Sequence, residues 1–202
     1  TVGTGDKTWG IGASGVGVPD KVLVNLASTN VTISENRTAR STVTVTLGTL
    51  TNNTNTLDIA TGITTGATAL SINGGTLTNA GGTINVGVAN GGNQAMSITA
   101  SGVVTLSSGT INLNGNGVFS SGTFTMTNGN FNIDPNSGTL ATSVASGTAI
   151  LNITSVVMAV SGGTITFVDP PNAGTAKTLT FSSTASYSMV GNTIVVGGAS
   201  GT

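Results

Sequence analysis

The chain has 202 residues, of which 5% are charged, with five basic and six acidic side chains, no histidine and no cysteine. A net charge of −1 excludes the dense basic footprint that nucleic acid requires, and the missing Cys and His exclude disulfides, the usual zinc sites and a Ser-His-Asp triad. The 37% hydrophobic content is too high for a disordered tail, yet no apolar run approaches the roughly 18 residues of a spanning helix.

Residues 1–40 hold seven of the eleven charges and are the least periodic part of the chain. The only tryptophan, Trp9, sits in Lys7-Thr8-Trp9-Gly10. Glu35, Arg37 and Arg40 share the polar stretch from Ser34 to Ser41, which reads as a solvated loop. Between Arg40 and Asp134 the only charge is Asp58, so Thr, Ser, Asn and backbone must cover that surface.

From residue 41 three short phrases return in turn. The first runs through Val43-Thr44-Val45, Leu70-Ser71-Ile72, Met96-Ser97-Ile98, Phe124-Thr125-Met126, Leu151-Asn152-Ile153 and Leu179-Thr180-Phe181. The second runs at an even step from Leu50 through Leu77, Val104 and Phe131 to Met158. The third runs through Leu57-Asp58-Ile59, Ile84-Asn85-Val86 and Ile111-Asn112-Leu113, then less regularly through Leu140, Ile165-Thr166-Phe167 and Ile194-Val195-Val196. A fixed period carried by short alternating segments signals a repeat architecture.

The spacing predicts an all-β fold, a right-handed parallel β-helix with about 27 residues and three short strands per coil. Each phrase alternates apolar and polar residues, so one face is buried and the other wet. Phrases this short cannot stand alone as a sheet. Stacking each phrase on its copy one period away makes a continuous core. A β-sandwich would explain the alternation but not the register. Residues 1–40 are then an N-terminal cap with irregular first coils, and Trp9 covers the open end. Residues 41–202 are the coils, with loop insertions near 134–138 (Asp134-Pro135-Asn136-Ser137-Gly138) and 168–174, where paired prolines cannot sit inside a ladder. With no signal segment at its start, the chain reads as a processed or excised piece of something longer.

Within residues 1–40 the order Thr-Trp-Gly, Gly-Val-Pro, Asp-x-Val-x-Val and Val-Thr-Ile is carried by Trp9, Val18, Pro19, Asp20, Val22, Val24, Val31 and Ile33. It resembles the opening of β-helical domains in large secreted surface proteins of Bacteroidetes. The coil phrases are also similar to those of autotransporter passengers and filamentous haemagglutinin-like adhesins. The resemblance implies export, an extracellular cell-surface location, and adhesion or filament building. It implies contacts with other segments or copies of the same protein, or with glycans and abiotic surfaces. It carries over no catalytic residue, and no secretion domain is visible at the C-terminal end.

No enzyme, metal or cofactor is expected. Glycoside hydrolysis needs paired carboxyls, whereas Asp58, Asp134 and Asp169 fall in different phrases, which makes a polysaccharide lyase or hydrolase the weakest reading. A calcium ion needs several oxygens with charge among them, leaving room only for an isolated loop ion near Asp134 or Asp169. Asp58, Asn85 and Asn112 share a column that reads as an outward polar ladder. The one candidate contact surface is the outward column of the first phrase: Thr44, Ser71, Ser97, Thr125, Asn152 and Thr180. Rows of Thr on a flat sheet suit ice or polysaccharide binding, although β-branched Thr also simply favours strands.

Overall fold

The computed structural model describes residues 21–39, 41–59, 68–87, 94–113, 116–133, 150–153, 156–168, 178–181, 186–189 and 193–197. Among these residues there is no helix, and seventeen strands form one curled sheet. The first four strands are β1 (Lys21–Ile33), β2 (Arg37–Ala39), β3 (Thr42–Asn52) and β4 (Thr56–Ile59). Next come β5 (Leu70–Asn73), β6 (Thr76–Val86), β7 (Gln94–Thr99) and β8 (Val103–Leu113). Then follow β9 (Asn116–Phe119), β10 (Gly122–Met126), β11 (Asn130–Ile133), β12 (Ile150–Ile153), β13 (Val156–Val160) and β14 (Thr164–Val168). The last three are β15 (Thr178–Phe181), β16 (Ser186–Met189) and β17 (Thr193–Gly197).

Every strand pairing is parallel, and the pairings sort the strands into three stacks. The first stack runs from the start of β1 through the start of β3, then β5, β7, β9, β12 and β15. The second takes the ends of β1 and β3, the first halves of β6 and β8, then β10, β13 and β16. The third is β2, β4, the second halves of β6 and β8, then β11, β14 and β17. This pattern is consistent with a β-solenoid. Alternation produces it: in β3, β6 and β8 the inward apolar residues are fully buried and the Thr residues between them half-buried, whereas Leu47, Ala80 and Val103 face outward. Among the described residues the sheet begins at Lys21, within the stretch read as cap and first irregular coils.

The core is a set of apolar files. One runs Val31, Leu50, Leu77, Val104, Phe124; another runs Leu57, Ile84, Ile111, Phe131. All of these side chains are buried, and each contributes about 1.5–3 kcal/mol when fully withdrawn from water. At the bend between the second and third stacks, Gly109 and Gly129 have φ of +79° and +93°. A Cβ on Gly129 would press on the carbonyl oxygen of Gly109, and one on Gly109 on that of Gly82. Both the left-handed backbone and the close stacking therefore demand glycine there.

The pairings depart from a constant step. Val104 does lie one full period after Leu77, but its next neighbour is Phe124, one phrase earlier than the expected Phe131. Phe131 instead lies on Ile111, in the place expected for Leu140. The paired Asn85 and Asn112 are separated by 27 in sequence, but Asn112 and Asn132 by only 20. In the first stack Gly117-Val118-Phe119 stands on Met96-Ser97-Ile98, where Phe124-Thr125-Met126 was expected. The cause is the link from the third stack to the first. Residues 60–69 separate β4 from β5, whereas only residues 114–115 separate β8 from β9. The next step, from Phe124 to Met158, is correspondingly longer, which restores the later expectations for Met158, Leu151 and Leu179.

The short step has a packing consequence. Phe119, Phe124 and Phe131 come together, with ring centroids 5.6, 6.1 and 5.1 Å apart. Gly117 holds the inward position that Leu70 and Met96 hold elsewhere in its file. The loop insertion expected near 134–138 lies outside the described residues, as does that near 168–174 beyond Val168. Trp9, Arg40, Asp134 and Asp169 also lie outside them.

Urea unfolding tests the inward assignments. Phe124→Ala is expected to cost about 3–5 kcal/mol, and Ile111→Asp to lower the midpoint still further by placing an unpaired charge in the core. Thr44→Ser should stay within about 0.5 kcal/mol of the parent. Unchanged midpoints for the first two variants would contradict the register.

Candidate functional site

The expected contact column is only partly assembled. In the first stack Leu23, Thr44, Ser71, Ser97 and Val118 align by backbone pairing, and the register continues to Asn152 and Thr180. The side chains of Asn152 and Thr180 lie outside the described residues. Thr44 and Ser71 are half-buried, and Ser97 is buried, with 6% exposure. The Ser97 hydroxyl reaches the Ser71 hydroxyl at 3.3 Å. Thr125 belongs to the second stack, beside Thr105, because the short step carries β10 past the first stack. Val118 occupies its expected place. A valine and a buried serine interrupt the polar row of this face.

A more regular array stands on the second stack. Thr49, Thr76, Val103 and Thr123 form one outward column, and Thr32, Thr51, Thr78, Thr105 and Thr125 the other. Thr32 is exposed and the rest are half-buried. Neighbouring strands of a sheet are about 4.8 Å apart and alternate residues of a strand about 6.6 Å apart. The columns therefore set hydroxyl and methyl groups on a two-dimensional grid free of charge. The sequence signal was the recurring Thr-x-Thr of residues 49–51, 76–78 and 123–125.

The third stack carries a ladder of carboxamides that ends on a carboxylate. Asn85 Nδ2 donates to Asp58 Oδ1 at 2.8 Å, Asn112 Nδ2 to Asn85 Oδ1 at 2.8 Å, and Asn132 Nδ2 to Asn112 Oδ1 at 2.9 Å. An ionised carboxylate only accepts, so Asp58 fixes the direction of every bond below it. The outward ladder expected for Asp58, Asn85 and Asn112 is present, and the short step adds Asn132 to it.

A second, inward ladder was not anticipated. Asn52 and Asn79 are fully buried in the file that continues as Leu106 and Met126. Asn52 Nδ2 donates to Asn79 Oδ1 at 3.2 Å and to the Asn55 carbonyl at 2.9 Å. Asn79 Nδ2 donates to the carbonyls of Gly82 and Thr110 at 3.0 and 3.1 Å. These amides satisfy carbonyls exposed where the chain bends, which buried backbone requires.

Arg37 corrects another expectation. It is not in a solvated loop but lies in β2, 7% exposed, at the head of the file of Leu57 and Ile84. Its guanidinium pairs with Glu35, which remains half-exposed. Among the described residues no three His, Cys, Asp or Glu side chains gather as a metal group would. Asp58 meets an amide ladder and not a second carboxyl.

In comparison with known proteins, no family model, no curated protein and no solved structure matches the chain.

The two ladders differ in burial, and their variants should differ accordingly. Asn79→Leu keeps the volume of the file but strands two carbonyls, so it is expected to cost about 1–3 kcal/mol. Asn85→Thr, on the wet face, should cost less than about 1 kcal/mol. Urea midpoints decide it, and equal losses would contradict the inward placement of Asn79.

Proposed function

We propose that the chain winds as a right-handed parallel β-helix and serves as a rod segment of a bacterial cell-surface adhesin or surface filament. One observation carries this reading: three parallel stacks keep their register from Lys21 to Gly197. A chain that returns to the same stacks gains length with each pass and buries its core along the way. Crossovers between parallel strands of one sheet are right-handed in nearly all proteins. The nearly charge-free flanks and the resemblance of residues 9–33 to Bacteroidetes surface proteins support an extracellular place at the cell surface. In this reading the rod carries no catalytic site, cofactor or metal. Its partners are other segments or copies of the same protein, glycans or abiotic surfaces.

The second reading, ice or polysaccharide binding, is favoured by the Thr grid of the second stack and not by the first-stack column. The polar grid offers repeated hydroxyls to an ordered ligand lattice, and its methyl groups reduce the cost of excluding water between the two surfaces.

Two experiments separate these readings. Labelling of intact producer cells with a membrane-impermeant reagent is expected to tag the parent protein; a protein found only in the cytoplasm would overturn the adhesin reading. Thr78→Asp with Thr105→Asp should abolish thermal hysteresis or pull-down by crystalline polysaccharide if the grid binds a lattice. Absence of both activities in the parent chain would dismiss the second reading.

A further inference from the structure

We propose that Asn73 and Asn128 are spontaneous modification sites, each losing ammonia to attack by the next backbone nitrogen and ending as aspartate or isoaspartate. The proposal rests on the geometry of two bends and not on the adhesin reading.

Asparagine reacts in this way when three conditions meet. Its side chain is exposed, the next residue leaves the amide carbon open to approach, and the next backbone N–H is not held in a hydrogen bond. Other asparagines of this sheet fail these conditions. Asn52 and Asn79 are fully buried. Asn85, Asn112 and Asn132 are tied into the outward ladder. The residues that follow them, Val86, Leu113 and Ile133, are bulky and paired within the third stack.

Asn73 and Asn128 meet all three. Asn73 ends β5, at the bend from the first stack to the second, and Asn128 lies between β10 and β11, at the bend from the second to the third. Both are exposed. Gly74 and Gly129 follow them, with φ of +97° and +93°, so no Cβ stands in the path of attack. Neither glycine lies in a strand, and neither N–H has a bonding partner among the described residues, whereas the adjacent Gly75 N–H donates to the Val45 carbonyl. At Asn73 the Thr99 hydroxyl also donates to Oδ1 at 3.1 Å. That oxygen gains negative charge as the amide carbon is attacked, and a donor aimed at it stabilises the charge.

The reaction needs only water as co-reactant. The glycine nitrogen bonds to Cγ and loses its proton, the Cγ–Nδ2 bond breaks, and ammonia leaves a cyclic imide. Water then opens the imide at either carbonyl. Opening at the side-chain carbonyl gives a normal aspartyl link; opening at the main-chain carbonyl leaves the backbone running through the side chain. Each event adds a carboxylate at a bend of a chain whose net charge is −1.

Asn116 supplies an internal control. Glycine follows it too, but Gly117 is buried within β9 and pairs on both sides, with Met96 and Leu151. Its N–H therefore belongs to the ladder. A dipeptide effect alone would modify Asn116 with the other two, and the fold spares it.

The test uses the unsubstituted protein, incubated in mildly alkaline buffer and then digested with pepsin at acid pH. Mass spectrometry of the peptides locates the conversions, and enzymatic methylation counts the isoaspartate. Folded protein is expected to convert at Asn73 and Asn128 and to keep Asn85, Asn112, Asn116 and Asn132 intact. In urea Asn116 should convert as fast as the other two. Folded protein in which Asn73 or Asn128 stays unmodified, or in which Asn116 converts at their rate, would overturn the proposal.

Discussion

In-register parallel stacking of three- to five-residue phrases is the constraint on which everything else depends. A strand of that length fixes too many backbone angles for the few contacts it makes alone, since ordering one residue costs about 1–2 kcal/mol. Placed between two copies, it completes its hydrogen bonds and buries its inward pair of side chains completely, as Val43 and Val45, Leu70 and Ile72, and Met96 and Ile98 do. Each stack therefore depends on neighbours in space that are distant in sequence, by 27 from Asn52 to Asn79 and by 20 from Asn112 to Asn132.

Most polar groups enter this scheme where the stack itself can bond them, although Asn52 Oδ1 and Arg37 Nε meet no partner among the described residues. Asn52 and Asn79 lie inside because the bends leave carbonyls that only an inward amide can reach. Asp58, Asn85, Asn112 and Asn132 lie outside, where the amides within the row both give and take a bond with the one above and below. A chain of aligned amides is polarised along its length, and such chains strengthen their members. A carboxylate at one end selects one of the two possible directions. The ladder thus resists slippage on a face that otherwise carries no charge, as the apolar files do within.

Much of this was legible in the sequence. The alternation identified the apolar inward residues of β3 to β8, though not the inward Asn52 and Asn79, and the constant step holds from Leu50 to Leu77 to Val104. It failed at Phe124 for a physical reason. A shift by one whole phrase keeps every apolar residue inward, so alternation sets no penalty on it; only a shift by one residue exposes the core. Gly117-Val118-Phe119 also hides its role, because a glycine stands where an inward apolar residue is expected. The candidate surface inherited that error. Thr125 was placed with Ser97 but stands with Thr105, and the regular Thr grid lies on the second stack. The burial of Arg37 was invisible for a similar reason: a lone charge in a polar run looks solvated until its file is known.

The described sheet carries long polar flanks of Thr and Asn. Every other feature of the sheet follows from its pairings, which makes register the property to verify first. The most direct measurement is methyl–aromatic nuclear Overhauser spectroscopy on specifically labelled protein. The account predicts contacts from the Phe124 ring to the Val104 methyls and from the Phe131 ring to the Ile111 methyls. Contacts from the Phe131 ring to the Val104 methyls, with none from Phe124, would restore a constant step and contradict it.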